Sequence, residues 1–263
     1  MNVVGCQLDI VWENKAATHA RVRALLEAQP PAKGSLLVLP EMFATGFSMA
    51  PEKIAEGEAR ESERFLAQIA EEFGVAVVGG VVNLGPDGRG RNEAVVFGSN
   101  GREIARYQKM HPFTFGGESK HYSSGDKPLL FPYQEFTVAP FVCYDLRFPE
   151  VFRSAVRQGA QVFVVIANWP QPREQHWMTL LQARAIENQA YVVGVNRCGS
   201  DPKLAYSGRS QIVDPKGVVL ADAGNAEGLI SAELDLSALR DYRRTFPALE
   251  DMHPEYVPIR SEK

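Results

Sequence analysis

The chain has 263 residues, with 28 Lys plus Arg against 32 Asp plus Glu and a formal net charge of -4. A composition of 45% hydrophobic and 23% charged residues fits one large domain or two small ones with a full core, and excludes disorder as the main state. The mildly acidic balance gives no electrostatic reason for a nucleic-acid or anionic-membrane partner, and apolar runs such as Val162 to Ala167 fall far short of the roughly 20 residues that span a bilayer.

In chain order, Asn2 to Leu8 is a short apolar run of strand type. It reaches Asp9 with neither a basic n-region nor a long apolar h-region, so no signal peptide is expected. Asn14 is a candidate N-cap for a helix whose Ala17, Ala20, Leu25 and Leu26 share a face. Leu36 to Leu39 reads as a buried strand running into Pro40-Glu41. Phe65, Leu66, Ile69, Ala70 and Phe73 recur at helical spacing, closed by Gly74. Val75 to Val82 is again a strand. Asn92 to Phe97 and Glu103 to Gln108 flank Asn100-Gly101, a hairpin signature. Lys109 to Pro128 shows no period; a stretch this long inside a domain is usually functional, and Phe113, Phe115 and Tyr122 predict a packed loop.

From Phe136 the order repeats. A strand to Val142, a helix from Glu150 to Gln158, a strand from Gln161 to Ala167, a helix from His176 to Asn188 and a strand from Tyr191 to Asn196 lead to a hairpin around Asp214-Pro215-Lys216-Gly217. Two similar halves of apolar strands and amphipathic helices favour two sheets packed face to face with helices outside. The tail from Leu234, a short helical stretch and then Pro247, Pro254 and Pro258, is expected to pack on the surface or on a partner subunit, leaving 1–263 as a single domain.

Cys6, Cys143 and Cys198 are odd in number and widely spaced, which speaks against a disulfide framework and for a reducing, cytoplasmic compartment. No CxxC or HExxH occurs, so no metal is expected. The glycine-rich Gly85 to Gly90 stretch lacks phosphate-loop spacing, so neither a nucleotide nor another cofactor is expected.

Cys143 ends an apolar strand just before a helix, the place where a nucleophile is held rigidly with backbone N–H groups at hand. A buried structural cysteine is the commoner fate of the residue type, and Cys6 and Cys198 keep that reading. Glu41 and Lys109 also stand at strand ends; taken singly, each is more often a solvated loop charge.

The strings Leu39-Pro40-Glu41-Met42-Phe43, Tyr107-Gln108-Lys109-Met110-His111 and Val142-Cys143-Tyr144-Asp145-Leu146-Arg147-Phe148-Pro149-Glu150 resemble, in order and spacing, the Glu, Lys and Cys motifs of the nitrilase superfamily of carbon-nitrogen hydrolases. Arg184 to Val192 and Gly208 to Gly217 resemble it too, so the likeness runs to about Glu233. Asn168-Trp169-Pro170, His176-Trp177 and Glu118-Ser119-Lys120 look most like its omega-amidase branch.

The resemblance implies a four-layer alpha-beta-beta-alpha sandwich, a homodimer and a small-molecule amide substrate such as 2-oxoglutaramate or 2-oxosuccinamate. It implies Glu41 as general base, Cys143 as nucleophile, and Lys109 with the Tyr144 backbone N–H as oxyanion donors, Glu118 being a further carboxylate that orients Lys109 or the substrate. A loop charge paired with Lys120 is the alternative for Glu118. Substrate carboxylates call for a cation, for which Arg173 and Arg147 are candidates, although Arg147 reads more readily as a buried ion-pair residue. Trp169 is expected in the apolar wall; Phe47 and Phe115 are further candidates for it, core packing being the more frequent fate of aromatics. The same triad also serves other aliphatic amides, N-carbamoyl compounds and nitriles. A non-catalytic binding protein of the same fold is the reading from another class.

Overall fold

Two six-stranded sheets lie face to face in the computed structural model, which describes residues 1–253. The first contains β1 (Asn2–Gln7), β2 (Leu36–Val38), β3 (Ala76–Leu84), β4 (Gly90–Phe97) and β5 (Glu103–Gln108). The second contains β6 (Phe131–Tyr133), β7 (Phe136–Val142), β8 (Val162–Ala167) and β9 (Tyr191–Asn196). After a small ribbon of β10 (Cys198–Ser200) and β11 (Ala205–Ser207), β12 (Gln211–Val213) and β13 (Val219–Asp222) extend the second sheet, and β14 (Gly228–Glu233) returns to the first. The orders are β14-β1-β2-β3-β4-β5 and β13-β12-β9-β8-β7-β6. Each sheet has three parallel strands, an antiparallel hairpin on one side and a single antiparallel strand on the other.

Strand alternation distributes the apolar runs between two environments. Val3, Leu36, Val38, Ala76, Val78, Ala94 and Val96 face inwards and share one core with Val138, Phe141, Val165 and Val193 of the second sheet. Their neighbours Val4, Cys6, Leu37, Val77 and Val95 face outwards onto α1 (Lys15–Ala28) and, beyond the single turn α2 (Pro51–Ile54), onto α3 (Glu61–Phe73), where Val22, Leu26, Phe65, Leu66 and Ile69 cover them. After the single turn α4 (Glu118–His121), helices α5 (Pro149–Arg157) and α6 (Glu174–Asn188) supply Phe152, Ala155, Trp177, Leu181 and Ala185 to the second sheet. The result is the four-layer alpha-beta-beta-alpha sandwich. Each fully buried aliphatic or aromatic side chain in such a core contributes roughly 1.5–3 kcal/mol.

Local signals place the helix ends. Asn14 Oδ1 accepts from the Ala17 N–H at 3.0 Å, and Gly74 caps α3 at φ +64. Helix α7 (Leu236–Thr245) buries Leu236 and Leu239, and its Arg243 donates to the carbonyls of Gln189 at 2.9 Å and Ala160 at 3.0 Å. The part of the C-terminal tail beyond His253, with Pro254 and Pro258, lies outside the described residues. Among the described residues no helix is long and apolar enough to cross a membrane.

Candidate active site

Strand direction gathers the site at one end of the sandwich. From β3 to β5 the chain reverses twice, so β2 and β5 run the same way and their carboxyl ends, carrying Glu41 and Lys109, lie on the same side. In the second sheet the parallel pair β7 and β8 likewise delivers Cys143 and Asn168. Glu41 is brought in by a close approach: Gly80 donates to the Pro40 carbonyl at 3.1 Å and accepts from the Phe43 N–H at 3.0 Å. A Cβ on Gly80 would fall 2.4 Å from the Met42 nitrogen, so only glycine allows that approach.

Cys143 occupies the left-handed region at φ +48, a strained conformation for a residue with a Cβ. It opens a 3-10 turn, Cys143–Arg147. Asp145 fastens that turn: its buried carboxylate accepts from the Val142 N–H at 3.0 Å, the Tyr107 hydroxyl at 2.8 Å and the His111 N–H at 2.9 Å. From α6, Arg184 donates to the Leu146 carbonyl at 2.7 and 3.1 Å.

Lys109, Glu41 and Glu118 form a buried ionic cluster. Lys109 Nζ lies 2.9 Å from Glu41 Oε1 and 2.8 and 3.1 Å from the two oxygens of Glu118. The Asn92 side-chain amide bridges the carboxylates, donating to Glu41 at 2.7 Å and to Glu118 at 2.9 Å. Glu118 also accepts from the Phe113 N–H, and Glu41 from the Asn168 N–H at 2.8 Å. Pairing Glu118 with Lys120 is therefore overturned: its partner is Lys109, because α4 turns the carboxylate into the protein.

The electrostatics follow from burial. Burial works against the Lys109 charge, yet Glu118 and Glu41 hold its pKa well above the usual lysine value. Burial also raises the Glu118 pKa, with Lys109 pulling down and Glu41 pushing up. The Cys143 thiol is pushed well above its ordinary value, first by burial and then by Glu41, while Lys109 opposes. The sign that the sequence left open is thus upward.

A small cavity of about 40 Å³ opens beside Cys143, lined by Phe47, Phe113, Tyr144, Arg147, Asn168, Trp169, Pro170, Arg173, Leu204 and Tyr206. Among the described residues this lining carries two guanidinia and no carboxylate. Arg147 lies over the Trp169 ring at 4.8 Å and Arg173 over Phe113 at 5.5 Å. Burial and the nearby Arg173 lower the Arg147 pKa against Tyr144 and Cys143. Arg147 is not a buried ion-pair residue; Arg184, paired with Glu187 at 2.9 Å, is the buried arginine behind the turn. Trp169 is fixed by Asn196, which accepts from its backbone N–H at 2.7 Å, and its indole N–H donates to the Arg173 carbonyl at 2.8 Å. Phe115, a candidate for the wall, is 87% exposed, and Phe113 lines the cavity instead. Sequence reasoning also missed Asn92 and Asp145, neither of which has a local pattern to mark it.

A family model for carbon-nitrogen hydrolases matches residues 3–244. The chain is 33% identical to a 2-oxoglutaramate amidase of Bacillus subtilis over 95% of this chain and 96% of that protein. It is 39% identical to Omega-amidase YafV of Yersinia enterocolitica over 93% and 94%. Among solved structures, a CN-hydrolase superfamily protein from Xanthomonas campestris, with an arsenic adduct in its active site, superposes with a TM-score of 0.89 at 30% identity, covering 96% of this chain and 97% of that one. With a family match across nearly its whole length, on the fold and buried Glu-Lys-Cys grouping described above, the chain belongs to the carbon-nitrogen hydrolase family.

Proposed function

We propose that the enzyme is a cysteine-dependent omega-amidase that hydrolyses the side-chain amide of a 2-oxo acid, 2-oxoglutaramate or 2-oxosuccinamate, to the 2-oxo acid and ammonia. The observation that carries this reading is the pair Arg147 and Arg173 in an apolar cavity that contains Cys143. A guanidinium binds a carboxylate through two parallel bonds, so the pair supplies the recognition that an anionic amide needs.

The roles follow from charge balance. With both carboxylates ionised, Glu41, Glu118 and Lys109 carry one net negative charge, and a resting thiolate would add a second in a buried site. Moving the thiol proton to Glu41 leaves the total unchanged, so Glu41 acts as general base as Cys143 attacks the amide carbon. The charge then passes to the carbonyl oxygen, which Lys109 and the Tyr144 backbone N–H receive; a donor of this kind is worth roughly 3 to 4 kcal/mol of barrier. Glu41 returns its proton to the departing ammonia. It next activates the water that cleaves the thioester. Glu118 and Asn92 hold Lys109 and Glu41 in place throughout.

We further place the enzyme in the cytoplasm, as a homodimer of single-domain subunits. Its three cysteines are all unpaired and buried, which suits a reducing compartment; the homodimer rests on resemblance to the family. Ammonia release from 2-oxoglutaramate, glutamine, an N-carbamoyl amino acid and a nitrile, with wild type and Cys143→Ala, tests the reading. Turnover that survives Cys143→Ala would end the thiol mechanism. A preference for the carbamoyl compound or the nitrile would remove the substrate assignment and leave the fold untouched.

A further inference from the structure

His176 stands beside the cavity and takes no part in the steps above. It lies on the exposed first turn of α6, next to Trp177, whose ring is buried and whose indole N–H donates to the Arg209 carbonyl at 2.7 Å. The two residues therefore point different ways: Trp177 anchors the helix to the second sheet, and His176 faces the 3-10 turn after Cys143. Its Nδ1 is 3.1 Å from a terminal nitrogen of Arg147. A guanidinium carries donors and no acceptor. Nδ1 must accordingly be the acceptor, which makes the ring the neutral tautomer with its proton on Nε2.

Arg147 thereby has its guanidinium over the Trp169 ring at 4.8 Å and the Tyr144 ring at 6.0 Å, and its tip against His176. Arg173 is tethered differently, through its own carbonyl to the Trp169 indole and through its guanidinium to the Phe113 ring. Arg147 and Arg173 repel each other, so in an empty cavity Arg147 gains from any contact that keeps it turned towards the cavity. A long, flexible side chain that is ordered before the ligand arrives does not lose that freedom on binding.

We propose that His176 is a positioning residue for substrate recognition: its neutral Nδ1 holds the Arg147 guanidinium over Trp169, in the orientation that receives the carboxylate of an anionic amide. This rests on reading the Arg147–Arg173 cavity as a carboxylate site. It adds that the anchor of that site is a histidine of fixed tautomer on α6, a different element from the turn that carries the nucleophile and from the ring partners Trp169 of Arg147 and Phe113 of Arg173.

The test is calorimetric binding of 2-oxoglutarate, the product anion, to full-length protein in a Cys143→Ala background, which removes turnover from the readout. His176→Leu should weaken binding by about fivefold, the net worth of a typical intramolecular hydrogen bond. His176→Asn, whose side-chain oxygen can take the place of Nδ1, should stay within about twofold of the parent. Equal affinity in the Leu variant, an Asn variant as weak as the Leu variant, or no binding of 2-oxoglutarate to the parent would each overturn the proposal. A measurement on the unsubstituted protein guards against a variant that fails to fold: the nitrogen-15 resonances of His176 should show an unprotonated Nδ1 and a protonated Nε2, and the reverse tautomer would overturn the proposal. If 2-oxoglutarate binds in the His176-dependent way but 2-oxoglutaramate is not turned over, the omega-amidase reading fails and the positioning role stands.

Discussion

Glu118 holds Lys109 more closely than Glu41 does: both of its oxygens lie within 3.1 Å of Nζ, against a single Glu41 oxygen at 2.9 Å. The lysine is thus secured by a carboxylate other than Glu41, which suits the proposed role of Glu41 as the proton carrier. Replacing Glu118 by Gln keeps the shape and removes the charge. The expected result is a fall in kcat of about a hundredfold with a small change in KM, the pattern of a lost transition-state contact. A purely raised KM in steady-state kinetics would reverse the assignment. Asn92→Ala should also lower kcat, and should cost about 1–3 kcal/mol in denaturant unfolding because two buried carboxylates lose a shared donor.

The raised Cys143 pKa implies a resting thiol rather than a thiolate. Thiolate absorbance, taken as wild type minus Cys143→Ala, should stay flat from about pH 6 to pH 9, where a free cysteine would titrate. Cys6 and Cys198 add no background, since burial raises both. A step in the difference signal near neutrality would show that Lys109 outweighs burial and Glu41.

Two cations and no lining carboxylate should discriminate between 2-oxo and 2-amino acids. Arg173→Ala should raise KM for 2-oxoglutaramate by about tenfold or more and leave a neutral aliphatic amide nearly unaffected. Glutamine, whose ammonium meets the two guanidinia, should be turned over more slowly than 2-oxoglutaramate. Equal losses on charged and neutral amides would count against a carboxylate site.

Gly80→Ala tests how tightly Glu41 is seated. The new Cβ would meet the Met42 nitrogen at 2.4 Å and the Glu41 Cα at 2.6 Å, both backbone atoms with little room to yield. We expect about 1–3 kcal/mol of destabilisation from overpacking, and a displacement near 1 Å that lowers kcat by about a hundredfold. Wild-type kinetics in this variant would show that the Pro40 to Phe43 segment is looser than its hydrogen bonds imply.

His19 gives a stability signature away from the site. It stacks on Phe65 at 4.3 Å and on Phe43 at 5.6 Å, and burial lowers its pKa from 6.5 to about 4, with Glu56 opposing and Lys15 assisting. The unfolded chain therefore takes up the proton first on acidification, and the stability tied to the neutral ring is lost as the pH falls from 6.5 towards 4. Over that range Tm should drop more steeply for wild type than for His19→Leu; parallel curves would refute the linkage.

The long strands and helices were legible in the sequence because burial on both faces writes continuous apolar runs and one-sided helices write a period. The three-residue strands β2, β6, β10, β11 and β12 are too short to carry a period, and of these only two were visible, β2 as a fully apolar run and β12 through the turn that follows it. Glu41, Lys109 and Cys143 stood out because they follow strands inside recognisable strings. Asn92 did not: it is one of three consecutive polar residues, Arg91 to Glu93, at the start of β4, and its meaning arises when β4 sets it between carboxylates 51 and 26 residues away. Phe113 and Phe115 look alike in sequence. Only the tight turn between them decides that one faces Arg173 and the other solvent.

The matching strand orders of the two sheets also divide the chemistry. Glu41, Asn92, Lys109 and Glu118 come from the half before β6; Cys143, Arg147, Trp169 and Arg173 come from the half after it. On the proposed roles, the groups that handle protons come from one half and the nucleophile and both cavity arginines from the other, and the cavity, which also takes Phe47 and Phe113 from the first half, sits on the seam between them. Changes at Arg147 or Arg173 can retune the choice of amide without touching the carboxylates and lysine of the first half, whereas Asn168, whose N–H donates to Glu41 at 2.8 Å, ties the two halves together. Neither half, expressed alone, would hold a working set.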